Sequence, residues 1–371
     1  MRSILLISFF ALVAPRPNFS QDGRMYVDAD SLQQREEQGQ ITRELIGNVH
    51  VVQDSLQIRS QRAHHLPESS RIEFWDNVRM REGTKWLRAD RLIAYEDGKI
   101  QRAMGNVALG QGSSELTARQ VTFFKDSSLA VAEDDVVMVN AENRVRLTCG
   151  RARYFIDKKY AKATESPVLV ELDSLDNETM WITGKVIEMF DEGDRSVVSG
   201  DVKITGRSTE ASCEQAEYFR SEQRLELRID PKAWQADQEM KGDTIVSYFD
   251  GDKLLRSRVL GNASVKSLTD STVSGRQLND VSGREMTLQF HDEVLEKVVV
   301  EGTATSVYHL VENNESKGTN CVQGDRITLL LQEKVLQRII IDSQPGVSVG
   351  KFSPPNLGAT RPPANASNSL N

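Results

Sequence analysis

Residues 87–109 read Leu-Arg-Ala-Asp-Arg-Leu-Ile-Ala-Tyr-Glu-Asp-Gly-Lys-Ile-Gln-Arg-Ala-Met-Gly-Asn-Val-Ala-Leu, and most of the chain is a variation on this stretch. Its closing Gly105-Asn106-Val107 returns as Gly47-Asn48-Val49, Asp76-Asn77-Val78 and Asp134-Asp135-Val136, which places a valine every 29 residues. Later copies open at Pro167-Val168, Gly200-Asp201-Val202, Pro231-Lys232-Ala233, Gly261-Asn262-Ala263 and Gly302-Thr303-Ala304, less evenly spaced. Nine imperfect units therefore run from about Gly47 to Gln344. Such self-similarity marks a solenoid-like architecture, whose units bury their apolar faces only against their neighbours. Function then belongs to a long repeated surface or groove rather than to a single catalytic constellation.

Each unit has two halves. The first is a short valine-rich segment after the corner, as in Val49-His50-Val51 or Val107-Ala108-Leu109, whose period-two alternation predicts a half-buried strand. The second half changes phase: Leu116 and Ala118 alternate, then Val121 and Phe123 continue one position out of step. A one-residue slip turns the apolar set to the other face unless the strand bends or bulges there. A small residue at the slip therefore predicts a V-shaped strand that leaves one sheet and enters another. The spacing of Ala89, Leu92 and Tyr95 also fits one face of a short helix. Polar turns such as Glu96-Asp97-Gly98, Lys125-Asp126 and Asp250-Gly251 follow the aromatic. They predict antiparallel hairpins, hence an all-β meander rather than a parallel β-helix.

The ends differ from the middle. Tyr26 to Leu32 matches the second half of a unit, so the repeats begin with half a copy. Before it, Arg2 and the apolar run Ile4 to Ala14 have the layout of a secretory signal peptide, placed at residues 1–20. The repeat domain then spans residues 21–345, with insertions near Ser271–Asn279 and Glu312–Thr319, and the Pro-, Asn- and Ser-rich residues 346–371 read as a disordered tail.

A formal charge of −8 argues against a nucleic-acid partner, which calls for a basic face. An exported chain with three cysteines invites a disulfide. In this repeat, however, Cys149 and Cys213 occupy a slot that Ala89, Ala118, Gly184 and Gly242 fill elsewhere, each six residues before an aromatic. Two units apart, at roughly 20 Å, they are expected to be buried free thiols. His64-His65 lacks the cysteine or carboxylate spacing of a metal site and reads as a solvated loop. No nucleophile elbow, phosphate-binding loop or dinucleotide fingerprint is present, so no catalytic residue, cofactor or enzyme activity is assigned.

The Gly-Asn-Val corners (47–49, 105–107) and the run Leu87, Ala89, Asp90, Leu92, Tyr95, returning to the next corner, resemble the OstA-like family of lipopolysaccharide transport. That family includes LptA and the N-terminal periplasmic part of LptD, and the resemblance covers roughly residues 25–345. It implies an elongated, open β-jellyroll of bent antiparallel strands in the periplasm, carrying lipopolysaccharide or a related lipid in an apolar groove. It also implies edge-strand pairing with inner-membrane LptC-like and outer-membrane LptD-like proteins, or head-to-tail pairing with further copies. The chain has more repeats than a small LptA, no transmembrane barrel region as in LptD, and the long C-terminal insertions.

On that resemblance, the candidate groove is the stripe Val49, Val51, Val78, Met80, Val107, Leu109, Val136 and Met138. Unpaired strands at an open end invite strand addition. The candidate docking edges are residues 25–32, with Tyr26, Val27 and Ala29, and residues 335–341, with Ile339 and Ile341. At about 10 Å per two-stranded unit, nine units would make a rod of roughly 90 Å. A secreted β-solenoid acting on polysaccharide, and a purely structural scaffold with a dry interior, remain the other two readings.

Overall fold

Alternating apolar residues become strands almost everywhere. The computed structural model describes residues 25–37, 40–95, 98–207, 209–235, 238–250, 253–268, 278–292, 294–312, 315–332, 335–345 and 348–355. The expected signal peptide lies outside this set, as does the greater part of the Ser271–Asn279 insertion. The described chain is all-β, one sheet of 26 strands in which every pairing given is antiparallel. Neighbours in sequence are mostly neighbours in the sheet, as a meander requires. The helical alternative for Ala89, Leu92 and Tyr95 does not hold, because all three lie in the strand Lys85–Tyr95. The helical turns described, Pro67–Ser69, Ile156–Lys158 and Asp191–Gly193, are three residues each.

Except at Glu165-Ser166 and Ile229-Asp230, where it separates two strands, the repeating corner is a bulge inside a continuous strand rather than a turn between two. The strand Ile100–Gln111 runs straight through Gly105-Asn106. Met104 faces Gln120 and Val107 faces Ala118, so two residues oppose Arg119 alone. Both corner residues have positive φ, +73° at Gly105 and +45° at Asn106. Consecutive left-handed residues recur at the other corners, shifted to Glu165-Ser166 and Ile229-Asp230 where proline follows. Proline fixes its own φ near −65°, so the left-handed pair moves to the residues before it.

These bulges crease the sheet. Among the described residues no helix layer and no second sheet covers it, yet residues on both sides of the bulge, such as Ala103 and Leu109, share one buried cluster. A single sheet buries one of its own faces only by folding on itself. Two places expose the resulting pair of walls. The strand Val145–Phe155 pairs through residues 151–155 with Tyr160–Thr164 and through residues 145–148 with Val168–Leu172. The strand Thr209–Phe219 is likewise shared between Arg224–Arg228 and Lys232–Gln235. We call the side carrying residues 100–104 the first wall and the side carrying residues 107–111 the second.

Cross-strand packing shows why the crease sits where it does. The corner valine faces the small residue of the next strand: Val78 with Ala89, Val107 with Ala118, Val136 with Cys149, and Val202 with Cys213. Space is least where the walls meet. A Cβ on Gly242 would lie 2.4 Å from Val259 Cγ1. Cys149 and Cys213 are free, as expected, and buried in this slot; the half-buried Cys321 is free as well.

The C-terminal end corrects one boundary. Val349–Ser353, inside the stretch read as a disordered tail, is a strand paired with Thr319–Gln323. The Glu312–Thr319 insertion belongs largely to the long strands Val294–Glu312 and Glu315–Gln332, and their added length supplies the ladder that orders the tail. Residues 356–371 of that tail lie outside the described set.

Candidate functional site between the two walls

Among the described residues an extended apolar space lies between the walls, and cross-strand rows determine its width. Along the second wall one inward row runs Val51, Ile58, Met80, Leu87, Leu109, Leu116, Met138, Leu147, Leu169, Ile182 and Ile204. It then drops to Ala211 and Ala233 before Met240 and Val265. Long side chains reach the opposite wall and close the interior; alanines do not.

The consequence is a closed waist and an open bay. Across residues 107–147 the row is sealed, with Leu109 and Leu116 at 0% exposure and Met138 at 4%. Where the row falls to alanine, a cavity of about 290 Å³ opens between the walls. Met180, Ile204, Ala211, Ala233, Met240 and Val265 line it from the second wall, and Leu225, Leu227, Ile245, Phe249, Leu288 and Phe290 from the first. Thr209, Glu210, Gln235 and Gln238, on the second-wall hairpins, give the bay a polar rim. A second cavity of about 100 Å³ lies near the N-terminal end, lined by Val51, Leu56, Ile58, Ile72, Phe74, Met80 and Leu92 among others.

The structure thus divides the candidate groove residues. Val51 and Met80 line the N-terminal cavity. Val49, Val78, Val107, Leu109, Val136 and Met138 are packed in the core cluster and line neither cavity. The valines among them sit on the crease. The bay residues were missed from sequence, although the fall from Leu and Met to Ala in the same register was present there to be read.

The candidate edges are edge strands. Tyr26–Asp28 pairs with residues 50–52 of the second wall and Ser31–Glu37 with residues 40–46 of the first. Tyr26 and Val27 are exposed, at 64% and 44%, while Ala29 packs against the core. At the other end Val335–Asp342 extends the first wall and Val349–Ser353 the second. Ile339 and Ile341 are half-buried against the core, and Phe352 is 55% exposed. Each end therefore presents a longer strand on the first wall beside a shorter, exposed one on the second.

Polar side chains organise the crease and the outside. Asp90 accepts from Asn106 Nδ2 at 2.9 Å, and Asp30 and Asp243 do the same for Asn48 and Asn262. This explains the aspartate of the Ala-Asp motif, which lies in a strand opposite the bulge. At three acidic corners a basic residue pairs with the acid: Arg62 with Asp76, Arg119 with Asp135, Lys185 with Asp201. Four of the recurrent aromatics, Tyr95, Phe190, Phe219 and Tyr248, lie under arginines: Arg224 is 4.0 Å from the ring centroid of Phe219, and Arg256 is 4.5 Å from that of Tyr248. Such cation–π contacts shield the outer face of the first wall.

The histidine pair lies in the strand Leu56–Leu66 rather than in a loop, so its rings point to opposite faces. His64 Nε2 is 3.1 Å from Glu44 Oε1, whereas burial and the nearby Arg43 charge lower the pKa of His65. Among the described residues no His, Cys, Asp and Glu group could hold a metal ion, and no helix is long and apolar enough to cross a membrane. Burial pushes the thiols up, Cys149 to about 12 and Cys213 to about 11, which keeps both protonated at neutral pH.

With this geometry established, the chain can be set beside known proteins. Residues 99–252 match the family model described as LptA/(LptD N-terminal domain) LPS transport protein. The match covers the waist and much of the bay, and it bears out the resemblance carried by the repeats. No curated protein matches the chain.

Proposed function

Given a domain of the LptA/LptD N-terminal type across residues 99–252, we propose that the chain carries lipopolysaccharide or a related lipid through the periplasm, acyl chains between its walls. The observation that carries this reading is the 290 Å³ bay, apolar on both walls and polar at one rim. A lipid tail in water is disfavoured by about 25 cal/mol per Å² of its surface, and an apolar slot inside an aqueous compartment removes that cost. The polar rim leaves the headgroup at the surface. On this reading the chain performs no covalent chemistry; it holds, shields and hands over.

The waist defines what transport requires. Val107, Leu109, Val136 and Met138 lie on the path from the N-terminal cavity to the bay, so a chain passing between them must part the walls. Antiparallel hairpins hinged at a line of bulges permit such parting without breaking the ladder on either wall. The two edge pairs then dock neighbours by strand addition. Residues 26–37 would meet one partner and residues 335–353 another, of LptC-like or LptD-like kind or a second copy, giving a bridge between membranes.

Photo-crosslinking tests this. A photoreactive residue at Ile204 or Ala233, in the bay, should crosslink to lipopolysaccharide, and one at Val107 or Met138 should do so only during active transport. Asp126, in an exposed turn, is the control. Absence of any bay crosslink from folded protein would leave a closed scaffold and remove the carrier reading.

A further inference from the structure

The inner row of the first wall is interrupted in the bay by two hydroxyls. Leu225 faces Ser247, Ser247 faces Ser257, and Ser257 faces Leu288. The serine oxygens are 3.0 Å apart and hydrogen-bonded to each other, and Ser257 is only 2% exposed. Both serines line the 290 Å³ bay. Elsewhere along this row the same inward positions hold Phe123, Ala130, Ala161 and Met189, with Gln101, Tyr154, Ser196 and Tyr218 as polar members. Only Ser247 and Ser257 are two serines directly opposite each other. A pair of buried hydroxyls is an uneconomical filler for an apolar wall, because each polar group must be satisfied.

From the geometry we infer that Ser247 and Ser257 form a hydrogen-bonding notch that recognises a hydroxyl group carried on the acyl chain held in the bay. The proposal rests on the lipid-carrier reading and specifies the lipid. Two serines have two O–H donors and several acceptor lone pairs, and their mutual bond uses one donor. One donor and free lone pairs then face the cavity. A chain hydroxyl both accepts and donates, so it can make two bonds to the pair; an ester carbonyl only accepts and makes one. An unsubstituted methylene makes none and leaves the notch as it is now.

The test is a competition experiment with the full exported chain and a fluorescent fatty-acid probe, comparing 3-hydroxytetradecanoic with tetradecanoic acid. The hydroxylated acid should bind about tenfold more tightly, the discrimination expected from about 1.4 kcal/mol of added hydrogen bonding. The double substitution Ser247→Ala and Ser257→Ala should erase that preference and leave the affinity for tetradecanoic acid within about twofold. Ser196→Ala, on the same wall but away from the bay lining, should keep it. Equal binding of the two acids by the unmodified chain, which needs no variant to fold, overturns the notch and leaves the carrier reading intact. A preference that survives the double substitution also overturns it. If neither acid displaces the probe, both the notch and the carrier reading fall.

Discussion

The waist and the bay are built from the same repeat, yet one is shut and the other open. In the waist the second-wall row is Leu109, Leu116, Met138 and Leu147, all buried. In the bay it is Ile204, Ala211, Ala233 and Met240, all half-buried. The pairing is antiparallel in both and the corners keep consecutive left-handed residues, but in the bay the corner at Ile229-Asp230 separates the strands Arg224–Arg228 and Lys232–Gln235 instead of bulging within one. What also differs is side-chain reach, together with the very short second-wall strands Lys232–Gln235 and Gln238–Lys241. A repeat therefore sets the walls, and a few substitutions within it decide whether they touch.

The sharpest way to break this comparison is truncation. Leu109→Ala or Leu116→Ala should each cost about 2–5 kcal/mol in urea unfolding, because a filled site becomes a cavity. Ile204→Ala should cost roughly 1 kcal/mol or less, since that side chain already borders space. Equal losses at the two places would mean the waist is no tighter than the bay.

Overpacking reverses the logic. Ala130→Phe, at a position with 0% exposure, should destabilise by about 1–3 kcal/mol, whereas Ala233→Phe should be nearly neutral in stability. The bay variant should instead lose lipid crosslinking, because the ring occupies the slot.

The crease is tested at Gly105. Its φ of +73° would cost an alanine about 1–2 kcal/mol, and an added Cβ would sit 2.4 Å from Asp90 Oδ2. Asp90→Ala, losing one exposed hydrogen bond, should cost about 1 kcal/mol or less. If Gly105→Ala were silent in thermal unfolding, the bulge would not be what bends the strand.

The smallest effect concerns the thiols. In native protein at pH 8, Cys321 should alkylate first, with Cys149 and Cys213 protected until unfolding; mass mapping reads this directly. The sign for stability follows from their raised pKa values. An unfolded thiol ionises near pH 9 while the folded ones stay protonated toward 11 and 12, so the folded state loses ground as pH rises through that window. Replacing both by alanine should flatten the alkaline limb slightly.

The sequence by itself determined the repeat, the strands and their antiparallel order, because period-two alternation and turn chemistry are local properties. It also determined the free thiols, through a slot that accepts only small residues, and it placed the bend where the phase slips. Tertiary structure decided what those local facts could not. Whether the corner is a turn or a bulge depends on the partner strand, since Gly105 and Asn106 are defined by facing Arg119 alone. Whether an inward residue lines a space depends on the opposite wall: Val107 and Ala233 share an alternation, but one meets a packed crease and the other an empty bay. The fate of residues 349–353 was set by a ladder that a distant insertion prolonged. Contacts across the walls join residues far apart in the chain, and that is why the groove's position emerged only once both walls were seen together.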